Sequence, residues 1–202
     1  MNREQLARRG RRLEYFTIGW NTLEGLFAMG AGAVAGSISL VGFGVDSFIE
    51  VTSGAALLWR MSVDENVERR EARERLSLRI VGVAFLALAA YVAVEAIRDL
   101  ASRAAPEASP VGMMVAALSL VVMPVLSRAK RRVGDAMASR AMRADAAQTD
   151  FCAYLSAILL VGLALNAAFG MWWADPIAGL VMVPIILKEA VEALRGDPCD
   201  CP

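Results

Sequence analysis

Two carboxylates, Asp46 and Glu50, stand four residues apart inside the apolar run GSISLVGFGVDSFIE. A step of four brings a helix back to the same face, so both acids point the same way. In hydrocarbon such groups are costly, about 2.5–3.5 kcal/mol for an Asp at a helix centre on insertion scales. Something must offset that cost. Two other segments carry groups of the same kind. Asn21 and Glu24 lie three residues apart in the first apolar stretch, and RADAAQTDFCAYLS opens the fifth. At about 100° per residue, Asp145, Gln148, Thr149, Cys152 and Ser156 fall within roughly 60° of Cys152 and form a polar stripe. Asp150 falls about 160° away and reads as a group that snorkels near the inner surface.

Carboxylate and amide oxygens together with a thiolate make a site for a divalent metal. A bound metal cancels the charge that hydrocarbon penalises, and its ligands must be deprotonated, so metal and protons compete for them. A site of this kind at mid-membrane, opening to each side in turn, is an antiporter. The candidate ligands are Asp46, Glu50, Glu24, Gln148 and Cys152, with Asn21 beside them.

The elements that must hold these residues are apolar helices. The chain has 202 residues, 57% of them hydrophobic. The apolar residues fall into six blocks, 13–35, 38–59, 79–100, 110–127, 148–169 and 175–194. Each is close to the roughly 20 residues that a helix needs to cross about 30 Å of hydrocarbon. All but Arg98 and Arg103 of the 21 Lys and Arg residues lie at the N-terminus, between blocks two and three, between blocks four and five, or in the tail. The positive-inside rule then puts both termini in the cytoplasm. The expectation is an all-α polytopic membrane protein: six transmembrane helices in a single domain, 1–202, with no cytoplasmic domain, in the cell membrane (the inner one in a cell with two). The first block is too long for a cleaved signal peptide and contains Asn21 and Glu24, so it reads as a retained helix.

Depth tests the candidate set separately. At about 1.5 Å per residue, Asn21 and Glu24 lie about 14 and 18 Å above Arg12, Glu50 and Asp46 about 15 and 21 Å above Arg60, and Cys152 about 14 Å above Arg143. All converge near the midplane.

The remaining polar groups have plainer readings. The mixed-charge segment 62–77 extends helix 3 into the cytoplasm. The basic RAKRRVGDAMASR, 128–140, sets topology and touches anionic lipid. Asp145 is a helix-start or vestibule group, Asp175-Pro176 a helix start with Asp as N-cap, and Glu95 with Arg98 an ion pair. Trp172 and Trp173 suit an interfacial belt. Cys199 and Cys201 lie in a short tail on the reducing side, where a disulfide framework is not expected. With no histidine and no base beside a nucleophile, enzymatic chemistry is not expected. Nothing in the sequence points to nucleic acid.

The segments GSISLVGFGVDSFIE, RADAAQTDFCAYLSAILL and ADPIAGL resemble the second, fifth and sixth helices of the cation diffusion facilitators. Asp46/Glu50 matches that family's Asp-x-x-x-Asp on helix 2. The resemblance implies a six-helix homodimeric exporter in which this pair and a His-x-x-x-Asp pair on helix 5 bind zinc or a similar ion. Here the helix 5 pair is missing. Anchoring on RAD puts Gln148 and Cys152 at its positions, and anchoring on AILL puts Ala147 and Phe151 there; the polar stripe favours the first. Glu24 is a candidate replacement for the lost ligand. Oxygen-rich ligation with one sulfur leaves zinc, cobalt, iron(II) and manganese open as transported substrate, with no permanently bound cofactor. The partners would be the lipid bilayer, the metal ion, protons and a second copy of the chain. The other class of function is a non-transporting membrane scaffold or partner subunit whose buried carboxylates only hold helices together.

Overall fold

A computed structural model describes residues 3–62, 67–103 and 106–195. Six helices account for nearly all of them: α1 (Arg3–Ala35), α2 (Ile38–Ser62), α3 (Val67–Ser102), α4 (Pro110–Ala136), α5 (Arg140–Phe169) and α6 (Ala174–Arg195). Every apolar block is a helix, and most helices run past the block at their arginine-rich end. The mixed-charge segment is helical from Val67 and continuous with α3, while Cys199 and Cys201 lie outside the described residues.

Local chemistry sets the boundaries. Ser109 caps α4, its hydroxyl accepting from the Gly112 N–H at 3.1 Å, and Pro110 occupies the first turn where its missing N–H costs nothing. Ser139 caps α5 in the same way, and Gly170 ends it in the left-handed conformation at φ 63°. Gly36, at φ 67°, makes the turn between α1 and α2. Two prolines stand inside helices, Pro124 in α4 and Pro184 in α6.

The expected cap at Asp175 is corrected. The helix starts one residue earlier, at Ala174, and the Asp175 carboxylate is engaged by side chains from another part of the chain. It accepts hydrogen bonds from the hydroxyls of Ser37, at 2.6 Å, and Ser39. The side chain therefore ties α6 to the α1–α2 turn. Nearby, Asn166 donates to the Pro106 carbonyl at 2.8 Å, and the Glu107 N–H to the Ala35 carbonyl at 2.8 Å. These ties gather the end of the molecule opposite the arginines.

The helices pack most extensively as three pairs, α1 with α2, α4 with α5 and α3 with α6; α1 also meets α4, and α2 also meets α5. A four-helix group α1, α2, α4, α5 results, with the α3–α6 pair beside it. Close approach of α1 and α2 depends on glycine. A Cβ on Gly44 would lie 2.8 Å from the Met29 nitrogen, and one on Gly25 would lie 3.1 Å from the Gly44 carbonyl oxygen. Small residues let helix backbones approach this closely where no water drives association.

The distribution of polarity is that of a protein in lipid. Phe27, Val34, Val94, Val121, Val125 and Val161 face outward, whereas Glu14, Asn21, Glu24, Asp46, Glu50, Lys130, Asp145 and Thr149 are buried. By length and composition α2 (Ile38–Trp59), α4 and most of α5 (Met142–Phe169) qualify as spans on their own. The apolar stretches of α1 and α6 carry charged or amide side chains, Asn21 and Glu24 in α1 and Asp175 and Lys188 in α6.

Candidate functional site

The polar residues of the four-helix group form two clusters on its axis. α1 supplies Asn21 and Glu24 to the first, because residues three apart share a face. α2 supplies Asp46 and Glu50, and α5 supplies Cys152. Asn21, Asp46, Glu50 and Cys152 are essentially fully buried, and Glu24 is 4% exposed. The carboxylates of Glu24, Asp46 and Glu50 and the Cys152 thiol are near enough for their charges to interact, with Cys152 beside Asp46 and Asn21 beside Glu50. α4 adds Ser119, fully buried and next to both Glu24 and Cys152.

Much of this cluster's hydrogen-bonding capacity is unused. Both oxygens of Glu24, Oε2 of Glu50, both polar atoms of the Asn21 amide and the Ser119 hydroxyl are buried; Ser119 neighbours Glu24 and Asn21 neighbours Glu50, yet none of these atoms makes a well-formed hydrogen bond among the described residues. Such groups are normally satisfied, and leaving one unpaired costs about 1–3 kcal/mol. The arrangement fits a positively charged guest that accepts oxygen and sulfur ligands. As placed, no three of the acidic and thiol side chains among the described residues converge tightly enough to hold an ion between them.

Glu50 Oε1 accepts a hydrogen bond from the Thr149 hydroxyl at 2.7 Å. Thr149 Oγ1 in turn accepts from Lys130 Nζ at 3.2 Å. The Lys130 ammonium also donates to Glu14 at 3.3 Å and to Asp145. This is the second cluster, with Glu14 on α1, Lys130 on α4, and Asp145 and Thr149 on α5. Lys130 and Glu14 are wholly buried, and Asp145 nearly so.

Here the reading of the basic segment is corrected. RAKRR is not a uniformly lipid-facing run, because α4 continues to Ala136 and turns Lys130 inward while Arg131 and Arg132 stay exposed. Asp145 is likewise an ion-pair partner inside the bundle rather than a vestibule group. Asp150 does lie off the stripe, 32% exposed and paired with Arg131 at 2.5 Å. Glu95 and Arg98 pair at 3.6 Å. Gln148 is half-buried beside Thr149, and its amide nitrogen has no hydrogen-bond partner among the described residues. Ser119, Glu14 and Lys130 are absent from the sequence-derived set. Their spacing carried a signal: Glu14, Thr17, Asn21 and Glu24 lie along one face of α1, and Ser119, Ser127 and Lys130 along one face of α4.

Fold and site together define a polytopic helical membrane protein with an acidic centre buried among α1, α2, α4 and α5. The chain belongs to the family described as the cation efflux transmembrane domain, whose model matches residues 17–196. It is 29% identical over 163 residues to transmembrane protein 163 of Xenopus laevis, an alignment covering 78% of this chain and 56% of that protein. It is 29% identical over 178 residues to an uncharacterized transporter of Methanocaldococcus jannaschii, covering 85% of this chain and 62% of that one. The chain thus spans a little over half the length of these relatives.

Proposed function

We propose that this chain forms the membrane domain of a divalent metal cation exporter that exchanges its substrate for protons by alternating access. The observation that carries the reading is the first cluster: three carboxylates, an amide and a thiol buried together with unpartnered acceptors. Groups of this kind are retained in hydrocarbon when their charge is neutralised in use. In the proposed cycle Asp46 and Glu50 ligate the metal when deprotonated and carry protons back when it has left. Either occupant offsets their charge, so the centre is tolerable in the membrane in both states. Glu24, Cys152 and Gln148 complete the shell, and Thr149 orients Glu50, as partners of ligating carboxylates commonly do. Membership of the cation efflux family supports the transport class, and the oxygen-rich donor set is compatible with zinc, cobalt, iron(II) or manganese. A homodimer with the cytoplasmic-end topology described above is part of this proposal.

The test is metal uptake into proteoliposomes under an imposed pH gradient, comparing the four ions in the wild type and in Asp46→Ala/Glu50→Ala. Flux of one ion that follows the gradient and is lost in the variant is the expected result. A folded, reconstituted protein that moves none of them would overturn the proposal in favour of a non-transporting scaffold.

A further inference from the structure

Building on the exchange reading of the first cluster, we propose that Lys130 is the pin of an inner seal. With Glu14 and Asp145 it closes that cluster toward the arginine-rich end of the bundle, and Thr149 couples the closure to the state of Glu50.

Three observations support this. The Lys130 ammonium joins α1, α4 and α5 at one level through Glu14, Asp145 and Thr149, and both ion-pair partners are buried. That level lies between the first cluster and the arginines at the start of α1, across the side of the bundle formed by α1, α4 and α5. The network is also incompletely satisfied. Two carboxylates share one ammonium, and Glu14 Oε1 and Asp145 Oδ1 have no hydrogen-bond partner among the described residues. A permanent staple is better made of apolar side chains, whereas buried ionic groups are best attested where one arrangement must be selected over another. Finally, Thr149 has a single hydroxyl proton and two acceptors in reach, Glu50 Oε1 at 2.7 Å and the Asp145 carbonyl at 3.1 Å. While Glu50 takes that proton, the Thr149 lone pairs face Lys130. When Glu50 is otherwise engaged, the hydroxyl turns to the Asp145 carbonyl; Lys130 keeps a Thr149 lone pair, but one no longer strengthened by donation to a carboxylate. One of the seal's three ties is then weakened.

Cys152 is a native reporter, because it is fully buried in the first cluster. In full-length protein carrying Cys199→Ser and Cys201→Ser, its labelling by a membrane-impermeant maleimide is measured in sealed vesicles of each orientation. Lys130→Met, and the charge-free Glu14→Gln/Lys130→Met/Asp145→Asn if the single variant fails to fold, should raise labelling from the arginine-rich side by at least about tenfold, the response of a two-state closure that loses its main tie. Lys130→Arg should not. Labelling from the opposite side should be unchanged. Unaltered labelling in the folded charge-free variant, or an equal rise from both sides, would overturn the seal.

The coupling is read from a cycle. Glu50→Gln should shift the labelling rate in the wild-type background and leave it unchanged in Thr149→Val; equal shifts in both would overturn the coupling. None of these readouts needs metal flux. A seal that opens in vesicles whose protein moves no ion would therefore fail the exporter and not the seal.

Discussion

At one level of the bundle Glu14 and Asp145 hold a lysine between them; about 15 Å further along α1, Glu24 stands with Asp46 and Glu50, and among the described residues no cationic side chain forms an ion pair with them. Both clusters are buried, and both draw on α1 and α5. They differ in who supplies the positive charge. A covalently attached ammonium cannot leave, so the lower cluster has a fixed counter-charge and works as architecture or as a seal. The upper cluster feels that ammonium only at Glu50, across Thr149, and suits a counter-charge that comes and goes. The contrast shows that the cost of burying a charge does not by itself reveal purpose, whereas the source of its neutralisation does.

Substitutions can break the comparison or sharpen it. The largest effect is expected for Lys130→Met, which strands two buried carboxylates and should destabilise the protein by about 3–5 kcal/mol. Thermal unfolding in detergent measures this, and the charge-free triple variant should recover most of the loss. Next comes Asp46→Asn/Glu50→Gln, which should leave the melting temperature unchanged or higher and lower metal flux by at least about a hundredfold, through loss of ligands that must be deprotonated to bind. A large loss of stability there would make the two clusters alike and favour the scaffold reading.

Gly44→Ala places a methyl against the backbone of α1 and should cost about 1–3 kcal/mol, spreading Glu24 from Asp46. Gly30→Ala, whose added Cβ meets nothing within 4 Å, is the control and should be nearly neutral. Thr149→Val should cost about 1–3 kcal/mol, since it takes the hydroxyl shared by Glu50 and Lys130 but removes no charge. Its signature is a weaker coupling between Lys130 and Glu50 substitutions in a double-mutant cycle.

The six helices were legible because lipid demands long apolar stretches, and composition announces them. Asp46 and Glu50 were legible for the opposite reason: an acid in such a stretch stands out, and helical spacing says which acids share a face. Lys130 was hidden among neighbours of the same kind. In RAKRR every residue suits the inner membrane surface, and only the phase of α4 with respect to α5 distinguishes the one that turns inward. Asp175 was misread for a related reason. Asp-Pro at a helix start is a local cap signal, but the hydroxyls that take the carboxylate come from Ser37 and Ser39, well over a hundred residues earlier in the chain. Periodicity reports a side chain's face, and partners from distant helices decide what it does there.

Pro124 stands on α4 between Ser119 and Lys130. A proline within a helix gives up one rung of the backbone ladder and marks the place where bending is cheapest. A bend at that point would pivot between the clusters, with Lys130 about 9 Å beyond it on one arm and Ser119 about 7.5 Å along the other. On an arm of that length, a change of about 10° carries the ammonium about 1.5 Å, enough to separate a hydrogen-bonded pair. The short arms keep the required motion small, so α4 can act on both clusters while its ends stay anchored in the bundle.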